Sequence, residues 1–427
     1  MRNVTFHFFR RSAGAWVAVA LLATAGGWVF STQEPASSDD WTTIRIQRSP
    51  LRTIEEGYAG YSAVGVDTTH DEIVAQDENM NRILVYDRLD NTSPTARMTE
   101  PKRIIGGRQT GISDNCAIYV DPSSGDIFSV NNDVTNFLNI FSRQARGNVA
   151  PDRQLVTPHR TFGIAVDEEA QEMYVTTQHP PSVLVWRKMA QGKEAPLRIL
   201  QGYKTQLAYV HGIALDTKNQ LMYVVNRGAA TSLKSGRGFR ELPVVDEGGV
   251  RTWVHPDTSW SHEYRQDWFI PGSGRFGSPS ITVYPFKANG NVPPLKVIQG
   301  PQTQLSWPAH IHIDVEHQEL FVVNAYGDSL LVFRTTDSGN VVPTRVIKGP
   351  KTKLKAPHGV FLDAENQEIV VANFANYSLT VYPRTAEGDT PPLRVIRSAP
   401  EGRLSPMFGS IGALEYDTKR GEILAPN

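Results

Sequence analysis

The sequence predicts an all-β fold, a seven-bladed β-propeller, and three observations lead there. A pair of polar residues ten positions apart recurs seven times along the 427 residues. Between and after the members of each pair run short stretches rich in β-branched and aromatic residues, bounded by Gly, Pro, Asn and Asp, which is the pattern of short strands. No stretch beyond the first thirty residues sustains an apolar period of 3.6, so helices are expected to be minor.

The first member of each pair is Asp67, Asp121, Asp167, Asp216, Asp314, Asp363 or Asp417, at spacings of 54, 46, 49, 98, 49 and 54 residues. Ten residues after each stand Asp77, Asn131, Thr177, Asn226, Asn324, Asn373 and Asn427. In the sixth copy GVFLD reads as a first strand, AENQ as a turn, EIVVAN as a second strand and SLTVYP as a third. PLRVI is the fourth strand, repeated as PLRIL from 196, PLKVI from 294 and PTRVI from 343. Four strands repeating at about 49 residues describe one propeller blade. The seventh copy holds only GALEYD and EILAPN, while TTIRIQRSPLRTI at 42–54 matches the missing outer half. Pairing 42–54 with 412–427 would close the ring and hide its edges, so seven blades are expected rather than six, with residues 42–54 essential.

The endings YVVN, FVVN and YVTT, with the Asp ten residues before each, resemble the YVTN/NHL-type β-propeller repeats of exported bacterial proteins. The likeness spans 42–427 apart from one insertion. The literal Asn-His-Leu tripeptide is absent, and Thr177 departs from the Asn pattern. The resemblance implies the fold and export. It fixes no reaction, because such repeats serve binding and scaffold proteins and related propellers include lactonases and lyases.

The organisation expected is a leader over 1–40, a propeller over 41–427 and an insertion over 227–279 in the fourth blade. MRNVTFHFFRR carries positive charge and SAGAWVAVALLATAGGWVF is an uncharged apolar run, the pattern of a signal peptide with a small-residue cleavage site at Ala23–Ala25. An uncleaved inner-membrane anchor is the alternative, since Ala13–Phe30 is near the minimum spanning length. Either way the protein is expected to be periplasmic or extracellular, and to meet a membrane only through that segment. Lys and Arg total 43 against 44 Asp and Glu, with no basic block, so a nucleic-acid partner has no electrostatic footprint. The single cysteine, Cys116, excludes an internal disulfide and reads as a buried, inert thiol.

Propeller topology gathers the start of each first strand and the end of each second strand at one mouth of the central channel. His211, His310 and His358 fall there, from the fourth, fifth and sixth copies. Three imidazoles from adjacent blades could hold a divalent metal with an open position. The register disagrees, however: His310 precedes its Asp by four residues and the others by five, so the three converge only across a bulge. The bland alternative has them hydrogen-bonding loop backbone. Asn131, Asn226, Asn324, Asn373 and Asn427 read as structural turn residues, because each repeats while a catalytic role is needed once. The 53 residues between Asn226 and Ser280 include Trp253, His255, Trp260, His262, Tyr264 and Trp268, an aromatic set suited to a binding lid over the same mouth. No nucleophile elbow, HExxH helix, phosphate-binding Gly loop or EF-hand is present. The leading expectation is an extracytoplasmic module that binds a protein, peptide or carbohydrate. The alternative is a metal-dependent lyase or lactone hydrolase using the three histidines.

Overall fold

A computed structural model describes residues 57–132, 135–178, 180–228 and 278–405. It also gives the strand backbones of Val4–Phe6, Ile44–Ile46, Val244–Glu247, Val250–Trp253, Glu415–Asp417 and Glu422–Leu424. The chain divides into two compact units, Met1–Glu55 and Glu56–Asn427. In the first, Val4–Phe6 pairs antiparallel with Ile44–Ile46. The apolar run at 13–30 lies outside the described residues. Among the described residues no helix is long and apolar enough to cross a membrane.

The second unit is a β-propeller, and its described residues form six four-stranded antiparallel blades. Blade 1 comprises Tyr61–Asp67, Glu72–Asp77, Arg82–Asp87 and Arg103–Gly106. Blade 2 comprises Asn115–Val120, Ile127–Asn131, Phe137–Phe141 and Arg153–Val156. Blade 3 follows with Thr161–Asp167, Glu172–Gln178, Pro181–Arg187 and Arg198–Gln201. Blade 4 spans Val210–Asp216, Leu221–Asn226, Ser280–Pro285 and Lys296–Gln299, with the insertion between its second and third strands. Blade 5 holds Pro308–Asp314, Glu319–Asn324, Ser329–Arg334 and Arg345–Lys348. Blade 6 holds Pro357–Asp363, Glu368–Asn373, Ser378–Pro383 and Arg394–Arg397. Each first strand faces the axis and each fourth strand lies at the rim.

The expected seven blades are therefore corrected to six, and the seams between blades give the reason. Every seam has its own apolar core, and the core between blades 6 and 1 is built like the others. There Val370, Leu379, Val381 and Ile396 pack against Tyr61, Val64, Ile73 and Leu84, all buried. A buried aliphatic or aromatic side chain contributes roughly 1.5–3 kcal/mol, so these seams are the main source of cohesion between blades. At the rim, in blades 2 to 6, a glycine in the loop before the fourth strand bridges the previous blade's outer strand, as Gly147 does with Ile105 and Gly388 with Ile347. Blade 1 closes on blade 6 in the same place: Thr92 donates its N–H to Val395 O at 2.8 Å, and Thr99 to Arg397 O at 2.9 Å. Near the axis the first strands approach so closely that a methyl group on Gly359 would lie 2.8 Å from Cα of Ala63. That contact is made directly between blades 6 and 1, leaving no gap for a seventh blade.

Of the strands expected to close the ring, two short pieces are described. Ile44–Ile46 pairs with Val4–Phe6, and Glu415–Asp417 pairs with Glu422–Leu424 as a hairpin. The rest of 42–54 and 412–427, including Asn427, lies outside the described residues.

The repeated polar residues hold the loops. Oδ1 of Asp67, Asp216, Asp314 and Asp363 each accepts the N–H three residues on, which closes the turn into the second strand. Asn131, Asn226, Asn324 and Asn373 act at the other end of the blade. Each accepts, through Oδ1, the N–H of the residue eighteen positions earlier: Ser113, Ala208, Ser306 and Lys355. The asparagine thus fastens the segment leading into its own blade, a longer reach than the local turn that sequence reasoning assigned to it. In blade 1 Asp77 accepts the N–H of Gly60, seventeen positions earlier, at 3.0 Å.

Candidate functional site

The channel mouth is shaped by one backbone device. The residue before the first strand adopts a left-handed conformation in five blades: Asp114 (φ 42°), Arg160 (φ 57°), Tyr209 (φ 53°), Trp307 (φ 54°) and Ala356 (φ 40°). Its carbonyl accepts the N–H of the residue just after the second strand, as in Arg227 to Tyr209 (3.1 Å), Ala325 to Trp307 (2.9 Å) and Phe374 to Ala356 (3.2 Å). Blade 1 makes the same bond between Glu78 and Gly60 at 3.0 Å. Two rings of residues therefore meet in a collar: the left-handed set and its hydrogen-bond partners. For residues as bulky as Tyr and Trp this conformation costs about 1–3 kcal/mol, and such strain concentrates at functional sites.

Blades 3 to 5 fill the collar with aromatic and cationic side chains. The Phe162 ring stacks on His211 at 4.0 Å with 19° between planes. Tyr209 and Trp307 flank His211 at 5.8 Å and 6.3 Å. The Arg227 guanidinium lies over both, with Cζ 2.9 Å from the Trp307 ring centroid and 4.9 Å from that of Tyr209. Tyr326, 64% exposed, meets Trp307 edge-on at 4.1 Å. Arg160 donates from Nη1 to Tyr209 Oη at 3.1 Å. No described carboxylate lies within ion-pair reach of Arg227.

Several polar atoms in this wall are buried without a hydrogen-bond partner: Nδ1 and Nε2 of His211, Nε1 of Trp307 and Nδ1 of His310. His211 is 2% exposed. Burial, then the Arg227 guanidinium, and then His358 and His310, hold its pKa well below the ordinary imidazole value, so the ring is neutral. Burial lowers His310 and His312 to about 4, and the Val360 backbone opposes it at His310. His358 is lowered by burial too, although its Nδ1 lies 2.8 Å from Ala356 O. On the blade 1 side, burial, with Asp114 and Asp77 nearby, raises Glu78 to about 8.

The three candidate histidines share the mouth, each from a neighbouring blade. Every first strand does begin with a bulge, and the bulge sets their order. His211 and His358 each follow the residue paired with the key Asn, Val210 and Pro357. The equivalent residue of blade 5 is Ala309, and His310 falls one step deeper, where blades 1, 2 and 6 have Ala63, Ala117 and Gly359. Among the described residues no three His, Cys, Asp or Glu side chains come together as metal ligands. The guanidinium beside His211 opposes a second cation there. Deeper in the channel His312 meets Phe361 at 4.9 Å.

The predicted lid residues His255, Trp260, His262, Tyr264 and Trp268 lie outside the described residues. Of Trp253 only the backbone is described, paired with Val244 in a hairpin. The chain leaves the described ring at Gly228, whose N–H donates to Ala208 O beside the collar. Cys116 occupies the blade 2 position equivalent to His211, buried, with Sγ 3.4 Å from Asp114 O. A surface groove of 420 Å³ beside Glu319, Arg334 and Arg345 lies at the opposite end of blade 5. Within it Arg345 and Glu319 are paired at 2.8 Å.

Sequence reasoning missed Phe162, Tyr209, Arg227, Trp307 and Tyr326. A signal for most of them was available, since the left-handed residue always falls seventeen positions before the key Asn or Thr and its partner falls one after. No protein-family model matches the chain, and no curated protein matches it.

Proposed function

We propose that the chain is an exported ligand-binding module of the YVTN/NHL-repeat kind, and that the collar on blades 3 to 5 is its binding site. One observation carries this reading: His211 is buried in an aromatic wall at the channel mouth with both ring nitrogens unpartnered. An unpartnered buried polar group costs about 1–3 kcal/mol, a penalty that a ligand's hydrogen bonds would remove. Bound cations over Trp and exposed aromatic faces are the usual furniture of recognition surfaces, with few polar groups set among them to fix orientation. The ligand is a carbohydrate, peptide or protein segment that enters the mouth. Among the described residues no three His, Cys, Asp or Glu side chains come together as metal ligands, so binding is preferred here to a metal-dependent lyase or hydrolase.

The test is capture by glycan and peptide arrays with purified protein. Trp307→Ala should abolish the capture that wild type shows, and capture that survives Trp307→Ala would remove the collar from the mechanism. Export is tested by fractionating cells and sequencing the N-terminus of the recovered protein. A new N-terminus near Ala25 supports cleavage, an intact one in the membrane fraction supports the anchor, and cytosolic recovery ends the export reading.

A further inference from the structure

We infer that the collar reads a carboxylate, a single negative charge attached to an apolar or planar body. This inference rests on the binding reading above and adds the chemistry of the ligand. Arg227 carries the argument. Its guanidinium face is held against Trp307 and over Tyr209, and part of its N–H edge meets the Tyr209 hydroxyl; the rest of that planar fork can meet a carboxylate. It is half-buried, and no described carboxylate is within ion-pair reach. Burial already disfavours its charged form, and an anion from outside would relieve that cost. A cation with no counter-charge among the described residues is expensive in an apolar wall, because buried charges are normally paired.

The surroundings favour one negative charge over two. The imidazoles of His211, His310 and His358 are held neutral by burial and offer hydrogen bonds without charge. Arg160 lends its Nη1 to Tyr209 Oη. Asp114 stands in the same collar, two blades from Arg227, and would repel a dianion more strongly than a monoanion. The unpartnered Nε1–H of Trp307 and the His211 nitrogens supply neutral hydrogen-bonding groups within the same wall. Tyr326, exposed and edge-on to Trp307, supplies the apolar contact for the rest of the ligand.

The experiment titrates three probes of similar shape against the full chain by saturation-transfer NMR: benzoate, benzamide and phenyl phosphate. Benzoate is expected to bind saturably and about tenfold or more tighter than benzamide, the size of one charge-assisted hydrogen-bonded pair. Arg227→Gln should erase that difference while leaving the melting curve cooperative, and Tyr326→Ala should weaken benzoate and benzamide alike. Benzamide matching benzoate, or Arg227→Gln keeping the preference, would overturn the carboxylate assignment and leave the binding site standing. Tighter binding of phenyl phosphate would overturn it in favour of a dianion. Absence of binding by all three, together with array capture that ignores Trp307→Ala, would bring down both readings.

Discussion

At the scale of the residue, the collar turns on side chains that accept an unfavourable backbone. Tyr209 at φ 53° and Trp307 at φ 54° occupy positions where blade 6 has Ala356 and blade 1 has Gly60. Glycine meets no Cβ penalty in that region, whereas alanine does. Tyr209→Gly is therefore expected to be more stable than Tyr209→Ala by about 1 kcal/mol, read from urea midpoints of the two variants. The reverse order would mean that the left-handed conformation carries no strain. The deep histidines make a second prediction. His310 and His312 have folded pKa values near 4, against about 6.5 in an unfolded chain. Above pH 6.5 neither state holds the proton, so their contribution to stability is complete. As pH falls from about 6.5 towards 4 the unfolded chain gains protons that the folded one refuses, and stability declines. His310→Gly with His312→Phe, borrowed from the blade 6 residues Gly359 and Phe361, should flatten the fall in melting temperature between pH 7 and 4.5. An unchanged slope would locate the acid sensitivity elsewhere. Little of this was legible beforehand: Tyr209 and Trp307 belong to no motif, and their importance comes from a dihedral angle and a neighbour forty or more residues away or on another blade.

At the scale of the element, the strands were the most readable part of the chain. Each Asp-to-Asn interval contains one turn and one second strand, and the alternation of apolar residues leaves little freedom in their register. What lies between the blades was harder to see. A basic residue just after the third strand reaches back to the acids of the preceding blade. Arg143 meets Glu72 at 3.2 Å, Lys188 meets Asp121 at 2.6 Å, and Arg384 meets Glu319 at 2.6 Å and Asp314 at 3.2 Å. Arg88 makes the same approach to Glu368, at 3.5 Å, across the seam between blades 1 and 6. Arg384→Met is expected to cost about 2 kcal/mol, because Asp314 is almost fully buried and would lose a counter-charge, while the partial exposure of Glu319 moderates the loss. Adding Glu319→Gln should recover part of it. Chemical denaturation of the single and double variants measures both numbers, and strictly additive effects would show that the pair is uncoupled.

At the scale of the whole molecule, the count of blades was the error, and its cause is specific. The seventh copy of the repeat around Asp417 and the strand-like segment at 42–54 look like two halves of a blade, and pattern alone cannot tell a copy within the ring from a copy outside it. The seam can: Thr92 and Thr99 bonded to the outer strand of blade 6, Arg88 facing its acids, and Ala63 against Gly359 already complete the circle. A fragment of residues 57–405 should consequently remain soluble and melt in one cooperative transition by calorimetry. Aggregation of that fragment, or a broad non-cooperative melt, would restore a role in closure to the segments outside it.

The carbonyl-to-amide bonds of the collar have a further consequence for how this protein can change. Because the backbone of each left-handed residue is pinned by a partner eighteen positions away, the identity of its side chain is nearly free of the fold. Asp114, Arg160, Tyr209, Trp307 and Ala356 show that freedom within a single chain. The mouth behaves as a keyboard on a fixed frame, where selection or an engineer can retune what is recognised by altering five or six letters and leave the six seams untouched.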